Sequence, residues 1–323
     1  MDVSKPPVLC IVGPTATGKS ALGIELAKHL SGEVLSADSM QVYRGMDIGT
    51  AKVTREEQQG VPHHLLDLVS PDVRFTVADW VQRADAAISE IHARGNLPIV
   101  VGGTGLYIRA ITEDLSFAEE EGSEEVRRRW FSYLQQHGPE ALHQALRERD
   151  PASAARLHPN DTRRVIRALE VFELGGKPLS AHYDWRVKGG RYWTEQFGLT
   201  ADREVLYERV NARVDRMMEI GLLEEVAELR RLGYHRNLTS MQAIGYKELL
   251  TYLDGEVSLE QAVADIKMAT RRFVKRQLSW FRRDPRVRWL HLDEKGGIRS
   301  DDLQDILTIG RQMLAGIRNA SRE

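Results

Sequence analysis

The chain has 323 residues, 42% hydrophobic and 28% charged, with 45 Lys plus Arg against 47 Asp plus Glu and a formal net charge of −2. Those proportions exclude a disordered, fibrous or collagen-like chain and leave room for about two globular domains. No overall positive excess points to nucleic acid, so a nucleic-acid site must come from basic residues gathered locally.

Met1 to Pro7 lacks the basic start and apolar stretch of a secretory signal, and no run approaches the roughly 18 apolar residues of a membrane span. A reducing cytoplasm is the expected compartment. Val8 to Val12 is a short β-branched apolar run and reads as a buried strand. The single cysteine, Cys10, lies inside it as a small core residue and can build neither an internal disulfide nor a multi-cysteine zinc site. Gly13 breaks the strand. A helical pattern then begins near Lys19, carried by Ala21, Leu22, Ile24, Leu26, Ala27 and Leu30. Glu33 to Ala37 reads as a second strand, Val77 to Arg94 as an amphipathic helix, and Leu97 to Val101 as a third strand ending in glycines. Strands alternating with helices predict an α/β fold with a parallel sheet.

The composition shifts after Asp114. Glu113 to Glu125 carries seven acidic residues around Gly122-Ser123, the signature of a solvated hinge. Val126 to Gly175 is helical in pattern, with turns at Gly138-Pro139 and His158 to Asp161, and Gly175 to Pro178 is a breaker. Tyr192 to Thr200 alternates as a returning strand, and the remainder to about Arg318 reads as mostly helical. The expected architecture is a P-loop-containing parallel sheet core flanked by helices, with a smaller all-helical insertion. Residues 1–116 form the first part of the core, 117–190 the insertion, and 191–323 the second part with basic C-terminal helices.

Gly13-Pro14-Thr15-Ala16-Thr17-Gly18-Lys19-Ser20 matches G-x-x-x-x-G-K-[ST] in full, between a strand and a helix. Its glycines let backbone amides curl inward around an anion, and the helix N-terminus adds partial positive charge. Lys19 neutralises a terminal phosphate in this reading, and the Ser20 hydroxyl ligates Mg²⁺. A P-loop specifies a di- or polyphosphate, not ATP. The usual partner is an apolar strand ending in an aspartate that holds the metal. Leu97 to Val101 instead runs into Gly102-Gly103-Thr104-Gly105 with no carboxylate. Asp38, after Val34 to Ala37, is the acid at a strand end: either it serves the metal or it does something else in a site that is not a standard NTPase. Ligands of open α/β sheets bind at the carboxyl ends of the strands, so Asp38, Gln41 and Thr104 are expected near the phosphate site.

The motifs GPTATGKS, DSMQVY (Asp38 to Tyr43), GMDIGTAK (Gly45 to Lys52), PHHLLD (Pro62 to Asp67), GGTGLY (Gly102 to Tyr107), HPND, IGYKE (Ile244 to Glu248) and KRQLSWFR (Lys275 to Arg282) resemble, in this order, the bacterial tRNA dimethylallyltransferases. The resemblance runs from about residue 9 to about 282. It implies transfer of a dimethylallyl group from dimethylallyl diphosphate to N6 of the adenosine 3′-adjacent to the anticodon, in tRNAs reading codons that begin with U. Diphosphate leaves, Mg²⁺ is the cofactor, and the P-loop holds the prenyl donor. It further implies Asp38 as the base that takes the N6 proton, Thr104 near the bridging oxygen of the donor, and Arg213 on the diphosphate. Asp38, Ser39, Met40, Gln41 and Thr104 are the expected tRNA contacts around the flipped-out adenine.

Lys267 to Arg288 holds nine basic residues and one acid, interleaved with Phe273, Trp280 and Phe281, and reads as a basic helix that tracks phosphates and stacks on unpaired bases. Lys275, Arg276, Gln277, Trp280 and Arg282 are its expected tRNA contacts. A second basic cluster, Arg156, Arg163, Arg164 and Arg167, flanks an expected helix N-cap at Asn160 to Thr162. The resemblance places Thr162, Arg163, Arg164, Val165 and Ile166 against the anticodon stem-loop. His63, His64 and His158 have no further ligands at metal spacing, and structural roles are expected for them. A monomer without membrane contact is the expected state. The competing readings are a small-molecule or nucleotide kinase, which leaves the missing acid after Val101 and the basic segment unexplained, and a non-catalytic RNA-binding switch.

Overall fold

A computed structural model describes residues 5–113, 115, 123–176, 178, 189–293 and 296–320. The chain divides into two compact units: Met1–Asp114 with Gly189–Glu323, and Leu115–Lys188. Most of the acidic stretch read as a hinge lies outside the described residues.

The larger unit is built on six strands: β1 (Pro7–Val12), β2 (Gly32–Ala37), β3 (His63–His64), β4 (Leu97–Gly102), β5 (Trp193–Thr200) and β6 (Val287–His291). They pair in the order β3-β2-β4-β1-β5-β6, and every pairing is parallel. Helices cover a parallel sheet on both faces, which is why β1 is apolar at every position and wholly buried. Leu9 and Ile11 are fully buried beside Leu26 and Leu30 of α1 (Lys19–Leu30) and Ile99 of β4. Each such side chain contributes about 2 kcal/mol by leaving water. The flanking helices are α1, α2 (Arg55–Gln58), α3 (Val77–Ala93), α4 (Gly105–Thr112), α8 (Arg203–Glu219), α9 (Leu222–Arg231), α10 (Tyr246–Leu253), α11 (Leu259–Phe281) and α12 (Ser300–Ala320). A capping box of Thr76 and Asp79 starts α3. Among the described residues no helix is long and apolar enough to cross a membrane.

The smaller unit holds α5 (Glu124–Arg149), α6 (Pro151–Ala154) and α7 (Thr162–Gly175). Gly138, at φ 80° and followed by Pro139, breaks α5 into two helices at the turn expected there. Leu142, Leu146, Val165, Ala168 and Leu169 form its core.

Three elements differ from the sequence reading. β3 is only two residues long and carries no period to detect. β6 lies in the stretch whose pattern is mostly helical; its burial alternates irregularly, and the basic residues on either side mask it. The basic segment Lys267 to Arg288 is consequently not one helix: α11 ends at Phe281, a turn follows, and Arg288 lies in β6.

Candidate active site

Three adjacent strands assemble the site. Val12 of β1 and Ala37 of β2 both align with Gly102 of β4, so the segments that follow them leave the same edge of the sheet. These segments are the P-loop, the Asp38 turn and the Gly103–Thr104 loop.

The P-loop is shaped by local chemistry. Gly13 sits at φ 128°, and a Cβ there would stand 2.5 Å from the Leu199 carbonyl oxygen. The Thr17 hydroxyl donates to the Pro14 carbonyl at 2.9 Å, and Lys19 Nζ donates to the same carbonyl at 2.5 Å. α1 begins after Gly18 with neither a side-chain cap nor an acid in its first turn, so its positive end is left for an anion. Ser20 is exposed in that first turn.

α8 supplies two arginines four residues apart. Arg213 Nη1 donates to Thr15 Oγ1 at 3.0 Å, and Arg209 Nε donates to the Ala16 carbonyl at 2.8 Å. Arg209 was missed in the sequence; its signal is the i, i+4 spacing to Arg213, which puts both on one helix face. Burial, and then the Arg213 charge, push the Lys19 ammonium down to about 7, with Asp38 opposing. Burial likewise lowers Arg213 from its ordinary value. Cations crowded this way are a site prepared for a multiply charged anion.

Asp38 is half-buried, and its Oδ1 accepts the Met40 amide at 2.8 Å. Burial raises its pKa; bonds from the Met40 and Gln41 amides and the charges of Lys19 and Arg213 oppose the rise. A carboxylate with a raised pKa is a stronger base. Thr104 Oγ1 accepts the Ser39 amide at 3.0 Å, which fixes the threonine beside the Asp38 turn. Beneath this edge Trp80 stacks on Tyr107 at 4.5 Å and donates to the Ser36 carbonyl at 3.1 Å.

Other expected site residues are placed differently. The Gln41 amide is taken up internally: its oxygen accepts Ser36 Oγ at 2.8 Å and its nitrogen donates to the Thr50 carbonyl at 3.0 Å. It props the turn rather than presenting its amide to a base, whereas Ser39 and Met40 remain partly accessible. Gln277, expected on an RNA surface, is buried with both ends of its amide engaged by Thr15 and Gly103. Val165 is wholly buried in the core of the smaller unit, with Ile166 packed against that core, so the exposed residues of this turn are Arg163 and Arg164. Thr162 opens α7; Asp161 occupies the N-cap position but makes no side-chain cap and pairs with Arg164 at 3.2 Å. Lys275, Arg276 and Arg282 are exposed, and Trp280 is half-buried. Four other cations of the same stretch are committed inside the larger unit: Lys267 to Asp215, Arg271 to Asn211, Arg286 to Asp284 and Glu113, and Arg288 to Glu195. His63 Nδ1 bonds the Val61 carbonyl, His64 Nε2 bonds Glu33, and His158 Nδ1 accepts the Asn160 amide.

Two motifs without an obvious role in the sequence meet at one carboxylate. Glu225 of α9 accepts the amides of Asp47, Ile48 and Gly49 at 2.7–3.2 Å and the Tyr246 hydroxyl at 2.6 Å. It anchors the Gly45–Lys52 loop, whose Thr50 carbonyl in turn holds Gln41.

A parallel sheet whose carboxyl edge carries a P-loop, a lone carboxylate and a hydroxyl together defines a P-loop-containing α/β protein. A sequence profile described as IPP transferase matches residues 41–284. The tRNA dimethylallyltransferase of Caldanaerobacter subterraneus subsp. tengcongensis is 50% identical over 292 residues, 89% of this chain and 92% of that protein. That of Symbiobacterium thermophilum is 52% identical over 288 residues, 89% and 90% of the two chains. Among solved structures, the tRNA isopentenylpyrophosphate transferase of Bacillus halodurans superimposes with a TM-score of 0.71 at 44% identity, covering 99% of this chain and 100% of its own. A eukaryotic dimethylallyltransferase described as acting on tRNA gives a TM-score of 0.79 at 30% identity, covering 96% and 80%. The chain belongs to the IPP transferase family.

Proposed function

We propose that this chain is a tRNA dimethylallyltransferase, moving the dimethylallyl group of dimethylallyl diphosphate onto N6 of the adenosine 3′-adjacent to the anticodon, in tRNAs reading codons that begin with U. The observation that carries the reading is the common edge of β1, β2 and β4, from which a diphosphate cradle, a raised-pKa carboxylate and a held hydroxyl all emerge. Family membership and the near-full-length likeness to named tRNA dimethylallyltransferases support the same donor and acceptor.

Adenine N6 is a weak nucleophile because its lone pair is delocalised into the ring. In the proposed step N6 attacks the allylic C1, the C1–O bond breaks, and the electron pair leaves on the diphosphate. Asp38 accepts the N6 proton as the C–N bond forms. The backbone amides of Ala16 to Ser20, with Lys19 and Arg213, stabilise the charge gathering on the leaving group, and Thr104 orients its bridging oxygen. The donor set fits a magnesium ion carried mainly by the substrate: Ser20 offers one hydroxyl at the helix end, and Mg²⁺ commonly keeps waters and phosphate oxygens as its other ligands. Bound there, it adds positive charge against the diphosphate.

The acceptor is the anticodon stem-loop. Exposed Lys275, Arg276 and Arg282, with Trp280, follow its phosphates and unstacked bases, and Arg163 and Arg164 of the smaller unit, beside the Thr162 hydroxyl, add a second basic contact. The enzyme works in the cytoplasm as a monomer. The test is to incubate it with Mg²⁺, radiolabelled dimethylallyl diphosphate and bulk tRNA. Label recovered in N6-prenylated adenosine after nuclease digestion is the expected result. Binding of tRNA without label transfer would overturn the reading in favour of an RNA-binding switch, and phosphoryl transfer from ATP would overturn it in favour of a kinase.

A further inference from the structure

α11 has two chemically different faces. Lys275, Arg276 and, just past its end, Arg282 point to solvent, while Val274, Gln277 and Phe281 are buried. Gln277 is an uncharged polar side chain set among apolar ones, and its amide is used at both ends. Its Oε1 accepts the Thr15 amide of the P-loop at 2.9 Å. Its Nε2 donates to the Gly103 carbonyl at 3.0 Å, one residue before Thr104. The residues it joins lie on different strands' loops, 262 and 174 positions away in sequence.

The Gly103–Gly105 loop is fitted to this helix. A Cβ on Gly103 would collide with the Gln277 amide, and a Cβ on Gly105 would collide with the Trp280 indole. Gln277 and Trp280 are three residues apart, neighbours on one helical face. They bracket the loop on either side of Thr104, whose hydroxyl is bonded to the Ser39 amide. Thr15, at the other end of the Gln277 amide, also receives Arg213.

We infer that Gln277 is a positioning residue for the transfer: its amide sets the spacing between the diphosphate cradle at Thr15 and the Thr104 loop, and it makes no contact with RNA. The inference rests on the function proposed above. Only a side chain with one acceptor and one donor at its tip satisfies both partners. A methionine of similar length supplies neither bond. A glutamate keeps the acceptor for Thr15 but sets a second oxygen against the Gly103 carbonyl until it is protonated, when its O–H restores the donor.

Gln277→Met and Gln277→Glu test this, with kcat and KM for dimethylallyl diphosphate measured alongside the Kd for tRNA. Both variants are expected to lose about tenfold or more in kcat/KM for the donor at pH 8, with the tRNA Kd within about twofold of the parent. The Gln277→Glu defect, taken as a ratio to the parent protein at each pH, is expected to shrink between pH 8 and pH 6. A tenfold weaker tRNA Kd with donor kinetics unchanged would return Gln277 to the RNA surface and overturn the inference. Unchanged kinetics, or a Gln277→Glu defect independent of pH, would also overturn it. Should Gln277→Met not fold, the Gln277→Glu ratio carries the test alone. A parent protein that labels no RNA would instead overturn the function itself.

Discussion

The Thr104 hydroxyl accepts the Ser39 amide at 3.0 Å, and through this bond the loop after β4 is tied to the turn that carries Asp38. Thr104→Val preserves shape but leaves the Ser39 amide without its acceptor, at a stability cost of about 1 kcal/mol. The same change removes the hydroxyl proposed to orient the bridging oxygen. Single-turnover transfer is expected to slow by about 100-fold, the typical effect of deleting one donor from a charge-stabilising site. Thr104→Ser restores the oxygen and most of the rate. A Thr104→Val variant as fast as Thr104→Ser would limit this residue to a structural tie.

The titration of Asp38 and Lys19 sets the pH profile. Burial raises Asp38, so the acid limb of kcat/KM for the donor lies above the ordinary carboxylate range: the base works only when deprotonated, and activity falls as the pH drops through that raised value. Lys19, pushed down to about 7 by burial and Arg213, loses its charge above that pH, and donor affinity falls with it. Bound diphosphate supplies the missing negative partner and favours the charged ammonium. The upper limb of kcat is therefore expected at higher pH than that of kcat/KM. Coincident upper limbs in steady-state profiles would mean that Lys19 does not meet the diphosphate. Asp38→Asn is expected to bind tRNA normally and lose the acid limb together with at least about 100-fold in rate.

The fold core and the glycine-rich loop between β1 and α1 were legible because their signals are local. A β-branched run, a glycine loop and an amphipathic helix stand within 30 residues, and P-loop chemistry needs that order. The mis-sided residues were legible in principle. Val274, Gln277 and Phe281 share a helical phase opposite to Lys275 and Arg276, as Val165 shares one with Ala168 and Leu169. Composition drew attention to the charged neighbours instead of the phase. The Glu225 anchor was out of reach, because its three amide partners lie 176 to 178 positions earlier in the chain and no local pattern connects them.

Glu225 therefore provides a test of long-range anchoring. Glu225→Ala strips the acceptor from the Asp47, Ile48 and Gly49 amides and from Tyr246 at once. Hydrogen exchange at those three amides is expected to accelerate, and stability to fall by about 3 kcal/mol. Tyr246→Phe removes one of these bonds and is expected to cost about 1 kcal/mol, with the loop amides still protected. Equal exchange in the parent and Glu225→Ala proteins would show that the loop holds its shape unaided.

Glu33 gives the fold an acid-labile contact. Burial alone would raise its pKa, but bonds from Arg94, Asn96 and His64 and the Arg94 charge hold the carboxyl down at about 2. The pKa of an unfolded glutamate is near 4.5. A depressed folded value means that this stabilisation is fully present above about 4.5 and lost as the pH falls towards about 2. Because Arg94 is half exposed, the contribution is smaller than the shift alone implies. In urea denaturation, Glu33→Gln is expected to lower stability by about 1–2 kcal/mol at pH 7 and to flatten its dependence between pH 5 and pH 3. An unchanged slope would mean that other carboxylates govern acid unfolding.

Charge removal along the basic segment separates RNA contacts from internal struts. Lys275, Arg276 and Arg282 are exposed, whereas Arg286 spans Asp284 at 2.7 Å and Glu113 at 3.1 Å, both acids being buried. Alanine at each of the first three is expected to leave thermal stability unchanged and to reduce the slope of log Kd against log salt for tRNA by about 0.7 to 0.9. Arg286→Ala leaves Asp284 without its cationic partner and is expected to cost about 3 kcal/mol of stability with an unchanged salt slope. Sequence composition treats these four cations alike, but burial divides them. An Arg286→Ala protein that keeps its stability and loses salt dependence would show that this arginine is released from its pair to meet the phosphate backbone.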